Sequence, residues 1–94
     1  MHFEYDINKS NSNKTKHGVD FEEAKELFYD ENSITFPTKY TKEERYFVVG
    51  KIKTKIFTAI ITFRDANIRI ISVRRARDKE IMQYERFKDA RDNS

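Results

Sequence analysis

Apolar and polar residues follow two different periods along this chain, and the two periods distinguish strands from helices. Three consecutive segments are rich in β-branched and aromatic residues, which is typical of strands. These segments cover residues 44–52, 55–65 and 67–76. The connections near Lys53 and Ala66 are short enough for hairpins, so the three segments predict an antiparallel meander.

Two shorter strands are predicted before this meander. In residues 3–7 apolar side chains alternate with acidic ones, which places the three apolar side chains on one side of a strand. Residues 33–36 include a short apolar and β-branched run, and Pro37 ends it. The residues that follow, 38–43, are mostly polar and predict an exposed connection.

An amphipathic helix is predicted over residues 20–30. Its apolar stripe comprises Phe21, Ala24, Leu27 and Phe28. Asp20 and Glu23 have the spacing of a capping box, in which each side chain accepts a hydrogen bond from the other's backbone N–H. A closing helix is predicted over residues 77–94. The face that would pack on the sheet comprises Ile81, Tyr84 and Phe87 with Lys88.

A further helix is predicted before these two, in a segment rich in Asn and Ser. Lys9, Asn13 and Lys16 lie on one helical face, and Gly18 suits the position directly after a helix end. Two N-terminal helices, an antiparallel sheet of about four to five strands and a C-terminal helix predict an α+β fold. The 94 residues contain no repeat or linker, so we expect one domain over residues 1–94, frayed over the last few residues.

Charge is distributed unevenly along the chain, although the net charge is only +3. Residues 20–32 hold six acidic residues against one lysine, whereas residues 64–79 hold six basic residues against two acidic ones. A basic face of this kind would attract nucleic acid or an acidic protein. The sequence has no cysteine, no apolar run of about 18 residues and no signal-peptide pattern, so a cytoplasmic protein is expected.

The residue types restrict the candidate chemistry. His2 and His17 are the only histidines, and no metal-ligand spacing accompanies them. Gly18 and Gly50 are the only glycines, so the usual glycine-rich phosphate loop is absent from the sequence. We therefore expect no metal site and no nucleotide cofactor.

Arginines in and beside the segment 67–76 are the remaining candidates. Strict alternation would place Arg74 on one face of this strand and Arg69 and Arg75 on the other. A tight turn between the last two strands would bring Arg64 close to Arg69 and leave Arg74 at the opposite end. These basic groups could still line a single sheet face together with Arg45. Guanidinium groups bind phosphate through two parallel hydrogen bonds, which favours a polyanionic ligand. A solvated basic strand end that pairs with the acidic helix is the structural alternative.

Several motifs occur together in the chain. The opening pattern comprises Phe3, Asp6, Lys9, Asn13, Lys16, His17, Gly18, Val19, Phe21, Glu22, Glu23 and Ala24. The later motifs are Glu43, Glu44 and Arg45 with Gly50, the run RIISVRRA over residues 69–76, and Glu80 with Tyr84. Together they resemble the BrnT family of type II toxin–antitoxin toxins over about residues 3–84. Tyr5, Ile7 and Val73 depart from the family pattern.

The resemblance implies a RelE-like ribonuclease fold. It also implies a metal-independent endoribonuclease without a cofactor, which cleaves RNA through attack of the ribose 2′-OH and inhibits translation. The implied catalytic residues are Arg64, Arg74 and Arg75 for phosphate and transition-state charge, and Tyr84 for proton transfer or stacking. The implied substrate-binding residues are Lys16, His17, Arg45 and Arg69.

The resemblance further implies two partners besides the RNA substrate. One is a BrnA-type DNA-binding antitoxin, and the other is operator DNA, which the toxin–antitoxin complex would bind. A homodimer and a heterotetramer with the antitoxin are both open, and no membrane contact is expected. The alternative function is a non-catalytic nucleic-acid- or protein-binding module that acts with an antitoxin as a repressor. Removing an arginine would lower cleavage in the enzyme but only affinity in the binding module.

Overall fold

The order of secondary-structure elements follows the predicted one closely. The structure is a computed structural model and describes residues 1–39 and 42–93. In chain order the elements are β1 (Phe3–Glu4), α1 (Ile7–His17), α2 (Phe21–Ala24), a 3-10 helix (Lys25–Tyr29), β2 (Ile34–Pro37), β3 (Tyr46–Ile52), β4 (Lys55–Arg64), β5 (Asn67–Arg75) and α3 (Asp78–Asp92). Tyr40 and Thr41 of the predicted connection, and Ser94 of the predicted frayed end, lie outside the described residues.

The five strands form one sheet in the order β1-β5-β4-β3-β2. Strands β2 to β5 pair antiparallel, which confirms the predicted meander. Strand β1, however, pairs with β5 in parallel, so the sheet is mixed and the prediction of a wholly antiparallel sheet was wrong. A parallel pair needs a long connection, and here the chain between β1 and β5 includes the other strands and two helices.

The N-terminal strand is shorter than its alternating pattern predicted. It ends at Glu4 because Asp6 caps α1, accepting hydrogen bonds from the N–H groups of Asn8 and Lys9 at 2.8 and 3.0 Å. Ile7 is therefore the first residue of a helix and lies exposed. At the other end, Gly18 has φ of 75° and its N–H donates to the carbonyl of residue 14, as predicted for a helix terminator.

The second helix begins as predicted but soon changes geometry. Asp20 and Glu23 form the capping box, with the reciprocal hydrogen bonds at 2.8 and 3.1 Å. The α-helix covers only Phe21–Ala24, and the chain continues as a 3-10 helix over Lys25–Tyr29. The predicted pair of N-terminal helices is thus one full helix and one short one. The tighter turn leads directly to Asp30, whose carboxylate accepts a hydrogen bond from the backbone of β3.

The hydrophobic core lies between one face of the sheet and α1, α2 and the 3-10 helix. It comprises Val19, Phe21, Ala24, Leu27, Val48, Ile52, Phe57, Ala59, Ile61, Ile68, Ile70 and Val73. We call this side of the sheet the core face and the other side the open face. Helix α3 crosses the open face at the end where β5 finishes, with Glu80 and Tyr84 buried. The rest of the open face carries the residues considered below.

A bulge in β5 changes which side chains share a face. One extra residue, Ile71, lies opposite the bond between Ile60 and Ile61 of β4. The partners of Arg69 and Arg74 in β4 are Thr62 and Thr58, four positions apart, so both arginines lie on the open face. Strict alternation had placed them on opposite faces, and that prediction was wrong because one inserted residue resets the two-residue period.

Helix α1 lies along the edge of β5 and is fastened there by a side-chain amide. The Asn13 amide donates to the carbonyls of Val73 and Val19 at 2.7 and 2.8 Å, and its oxygen accepts from the Val73 N–H at 3.2 Å. The asparagine therefore satisfies strand-edge groups that a neighbouring strand would otherwise pair. Because the contact holds α1 in a defined register, it also sets the position of Lys9 one turn earlier.

The turn between β4 and β5 stores backbone strain at Ala66. Asp65 and Ala66 have φ of 51° and 69°, values that a two-residue hairpin turn requires at both positions. Glycine adopts such angles without a clash with Cβ, so Ala66→Gly is expected to raise the free energy of unfolding by about 1 kcal/mol. Urea unfolding measures the change. The matched control is Ala90→Gly, within α3, for which the free energy of unfolding is expected to fall by about 0.5 kcal/mol. A change of the same sign in both variants would contradict the assignment of strain to Ala66.

Candidate functional site

A basic cleft lies on the open face beside the turn between β4 and β5. Its lining comprises Lys9, Glu43, Arg45, Thr62, Phe63, Arg64, Arg69 and Ile71, and its volume is about 270 Å³. We call it the basic cleft. Four of these side chains are cationic, and they come from α1, from the segment before β3 and from the neighbouring strands β4 and β5.

The fold brings each cation to the cleft by a different route. The antiparallel register places Arg69 opposite Thr62 and Arg64 opposite Asn67, so both arginines lie near the turn. This confirms the predicted proximity of Arg64 to Arg69. Arg45 precedes β3, and its carbonyl accepts a hydrogen bond from the N–H of residue 38 at 2.9 Å. Lys9 arrives from α1, which the asparagine contact holds against β5.

Positive charge is only partly compensated within the basic cleft. Arg45 donates two hydrogen bonds to Glu43, at 2.9 and 3.0 Å, and this exposed pair contributes little to stability. Arg69 lies 3.9 Å from a carboxylate oxygen of Glu4. Arg64 is exposed and has no hydrogen bond or ion pair with any described residue. A phosphate group would therefore meet a guanidinium that loses no existing contact.

Arg74 lies on the same face, about 20 Å from Arg64 along the strands. Its guanidinium donates to both oxygens of Glu80, at 2.7 and 2.9 Å, so the two side chains form a fork-to-fork pair. Burial would raise the pKa of Glu80, but hydrogen bonds from Arg74, from the Arg77 N–H and from Thr58 lower it to about 2. This network fixes the start of α3 on the sheet.

Tyr84 lies in the interior, with 1% of its surface exposed. Its hydroxyl donates to Asp30 at 2.7 Å, and the same carboxylate oxygen accepts from the Lys51 N–H at 2.8 Å. Burial raises the pKa of Tyr84, and the contact with Asp30 raises it further. Burial acts against ionisation of Asp30 as well, but the hydrogen bonds from Tyr84 and from the Asn32 and Lys51 N–H groups together outweigh it and lower the pKa of Asp30. The tyrosine therefore joins α3 to β3 and to the 3-10 helix.

Three other predicted site residues lie outside the basic cleft. Arg75 is exposed, and its guanidinium is 5.5 Å from the ring centroid of Phe57, on the core-face side of the sheet. Lys16 and His17 are exposed in the last turn of α1. Of the eight predicted site residues, the structure brings together Arg45, Arg64 and Arg69.

Two charged residues of the basic cleft were not predicted as site residues. Lys9 had been noted for its helical spacing with Asn13 and as a member of the opening motif, and Glu43 as a member of the Glu-Glu-Arg motif. The helical spacing placed Lys9 and Asn13 on one helix face, but it did not indicate which surface that face contacts. Glu43 precedes β3 in an irregular segment, so no periodicity predicts where its side chain lies.

Comparison with known protein families adds an independent observation. A family described as "Ribonuclease toxin, BrnT, of type II toxin-antitoxin system" matches residues 5–80. The chain belongs to the BrnT family. Comparison with curated proteins found no match to this chain. The match confirms the resemblance found in the sequence motifs, and for a BrnT toxin it implies an RNA substrate and an antitoxin protein partner.

The matched residues of this BrnT family member include the whole basic cleft. They also include Arg74, Arg75 and Glu80, but Tyr84 lies beyond the matched range. Within the described part of the chain, no group of three histidine, aspartate or glutamate side chains is arranged to hold a metal ion. No described helix is long and apolar enough to cross a membrane.

A larger cavity of this BrnT chain is less suited to RNA. It has a volume of about 520 Å³ and lies between β2 and α3. Its lining comprises Ser33, Ile34, Thr35, Phe36, Gln83, Phe87 and Arg91. With one arginine among these residues, the groove offers little charge to a polyanion. The smaller basic cleft is therefore the candidate site for the RNA backbone.

Proposed function

We propose that this chain is a metal-independent endoribonuclease that cleaves RNA in the basic cleft through attack of a ribose 2′-OH on the adjacent phosphate. The observation that carries the proposal is the convergence of Lys9, Arg45, Arg64 and Arg69 on one open cleft in a member of a ribonuclease family. Guanidinium and ammonium groups there would neutralise the charge that develops on phosphate oxygens in the transition state. A RelE-like classification of the fold belongs to the same proposal.

The residues of the basic cleft divide into two proposed roles. Arg64 and Arg69 would bind the scissile phosphate, since both lie beside the turn and point onto the open face. Glu43 supplies the carboxylate among the described residues of the cleft lining, so we assign it the role of general base for the 2′-OH. Arg45 would hold Glu43 in place through its two hydrogen bonds and contact a neighbouring phosphate.

The other predicted catalytic residues take part in the proposal less directly. Arg74 would act indirectly, because its two hydrogen bonds to Glu80 hold α3 on the open face, which also carries the basic cleft. Direct catalytic roles for Arg74, Arg75 and Tyr84 stay predictions, as do substrate contacts of Lys16 and His17. For Tyr84, burial and the bond to Asp30 favour a structural role.

Cleavage in the presence of EDTA tests the proposal. The purified chain is incubated with ribosome-free RNA, and the ends of the fragments are mapped. We expect 2′,3′-cyclic phosphate and 5′-hydroxyl ends, because the 2′-OH is the nucleophile. Glu43→Gln, which keeps the shape of the side chain, is expected to lower kcat about 100-fold with a smaller change in KM. Fragments with 5′-phosphate ends, or activity that EDTA abolishes, would contradict the mechanism.

A non-catalytic binding module acting with an antitoxin as a repressor is the second candidate. The observation that favours it is the composition of the basic cleft, where no described lining residue is a histidine. Histidine is the usual general acid or base near neutral pH. RNA that is bound tightly but stays intact, with and without ribosomes, would favour this second candidate.

The proposed partner is a BrnA-type DNA-binding antitoxin, with which the chain would repress its own operon at operator DNA. Membership of the family implies that the chain has an antitoxin partner. We propose in addition that this antitoxin is of the DNA-binding type. Mixing the purified chain with such an antitoxin should suppress RNA cleavage and produce a stable complex in size-exclusion chromatography. The same complex should retard operator DNA in a gel-shift assay.

A further inference from the structure

An apolar band crosses the open face between the basic cleft and α3. It comprises Phe36, Phe47, Ile60 and Ile71, one from each of the strands β2, β3, β4 and β5. All four side chains are half-buried, and none belongs to the hydrophobic core on the other side of the sheet. Helix α3 covers the neighbouring end of the sheet and leaves this band partly open to solvent.

The band follows the register of β2, β3 and β4, and the bulged residue Ile71 extends it to β5, where the direct partner of Ile60 is Ser72. Phe36 pairs with Phe47, and Phe47 pairs with Ile60 on its other side. The two phenylalanine rings have centroids 5.4 Å apart and an interplanar angle of 48°. Because cross-strand partners point to the same face of a sheet, both rings belong to the open face.

Cations lie on both sides of the Phe47 ring. The Arg74 guanidinium is 6.0 Å from the ring centroid. On the other side Arg45, two residues earlier in an extended chain, lies about 7 Å along the strand direction. An arginine of the basic cleft and an arginine beside α3 thus flank one aromatic surface.

A sheet surface that carries aromatic rings between cations suits one class of ligand in particular. Successive bases of a single-stranded nucleic acid stack on such rings while the phosphates contact neighbouring cations. Here those cations are the ones of the basic cleft, because Arg74 is already paired with Glu80. A paired duplex has no free base face to offer, and an apolar peptide would not use the cations. The band also continues into the basic cleft through Ile71, which lines it.

We propose that Phe36 and Phe47 form a nucleobase-binding subsite that selects single-stranded RNA and places the next phosphate in the basic cleft. The proposal rests on the proposed function, since it takes RNA as the ligand of that cleft. It adds the substrate class, which is unpaired RNA, and two residues that bind bases rather than phosphate. Stacking tolerates every base, so the subsite selects strandedness more strongly than sequence.

Binding of three probes separates stacking from charge. The first is a 2′-O-methyl RNA 10-mer, which lacks the nucleophilic hydroxyl and stays intact. The second is the same strand in a duplex, and the third is inorganic polyphosphate, which has charge but no bases. Phe47→Leu and Phe36→Leu are each expected to weaken binding of the single strand about 10-fold and to leave polyphosphate binding unchanged. Tyr29→Leu, an exposed aromatic residue on the 3-10 helix, is the matched control.

A third variant tests the same subsite by fluorescence, in case a leucine variant does not fold. Phe47→Trp retains an aromatic surface, and its fluorescence should be quenched by the single-stranded probe but not by polyphosphate. Equal loss for the single strand and for polyphosphate, native affinity in both leucine variants, or no quenching would overturn the subsite.

The outcomes also distinguish the subsite from the proposed function. Cleavage of RNA in EDTA with no dependence on either phenylalanine would overturn the subsite and leave the ribonuclease mechanism standing. Phenylalanine-dependent binding of the single strand without cleavage would support the subsite and contradict the ribonuclease mechanism.

Discussion

Replacing Arg64 with alanine is expected to lower kcat/KM for RNA cleavage about 100- to 1,000-fold, the range typical for loss of one charge-stabilising donor at a reacting centre. The expected loss is large because Arg64 lies in the basic cleft and is not engaged by any described residue. For the same reason its removal breaks no contact of the fold. The free energy of unfolding should change by about 0.5 kcal/mol at most.

The measurement compares initial cleavage rates of the native chain and three variants on one RNA. Arg64→Lys keeps the charge but loses the planar fork, and it should recover part of the activity. Arg86→Ala, an exposed arginine of α3 outside the basic cleft, should retain native activity. If the activity of Arg64→Ala is within about threefold of that of the native chain, the result contradicts the proposed phosphate site.

Replacing Glu80 with glutamine is expected to lower the free energy of unfolding by about 3 kcal/mol, because one partner of a buried ion pair is removed. The carboxylate of Glu80 is 11% exposed and accepts from Arg74, Thr58 and the Arg77 N–H. Glutamine cannot accept through both terminal atoms, so the Arg74 guanidinium, 19% exposed, would keep a charge without its partner.

The same carboxylate makes stability depend on pH in acid. Its pKa is lowered from 4.5 to about 2 in the folded chain, so the unfolded chain binds the proton first as the pH falls. The contribution of Glu80 is therefore fully present above about pH 4.5 and is lost progressively from there towards pH 2. In Glu80→Gln this part of the acid destabilisation should be missing.

Urea unfolding at pH 7, 4 and 3 measures both effects. Glu85→Gln, an exposed residue of the same helix, is the matched control and should change stability by about 0.5 kcal/mol at most. The acidic residue Asp30 also has a lowered pKa, so the native chain and Glu80→Gln must be compared at each pH. Parallel acid profiles for the two chains would contradict the assignment to Glu80.

Much of the local structure could be predicted from residues that lie close together in the sequence. The capping box of Asp20 and Glu23, the left-handed position of Gly18 and both hairpin turns followed their patterns. The error at residues 3–7 has the same origin, because Asp6 supplies a helix cap that the apolar alternation does not reveal. Where two local signals compete, the one that satisfies backbone N–H groups prevails.

The candidate site was predictable only in part. Arg64 and Arg69 belong together because a two-residue turn joins their strands, and the sequence indicated that turn. Arg74 carries the same side chain but meets Glu80 six residues later, and the fork between them depends on how α3 folds back onto the sheet. Lys9 reaches the basic cleft through a helix that packs on an edge, a contact that spacing alone does not predict.

The sequence by itself determined the α+β class, the meander, the capping box of Asp20 and Glu23 and the family, since periodicity, turns and motifs act within a few residues. The tertiary structure alone decided the parallel pairing of β1, the bulge at Ile71 and the convergence of four cations. These features depend on contacts between distant segments, such as the pairing of Asn13 with Val73 across 60 positions. Such contacts are selected by the packing of the whole chain, because no local pattern specifies which distant partner a side chain will meet.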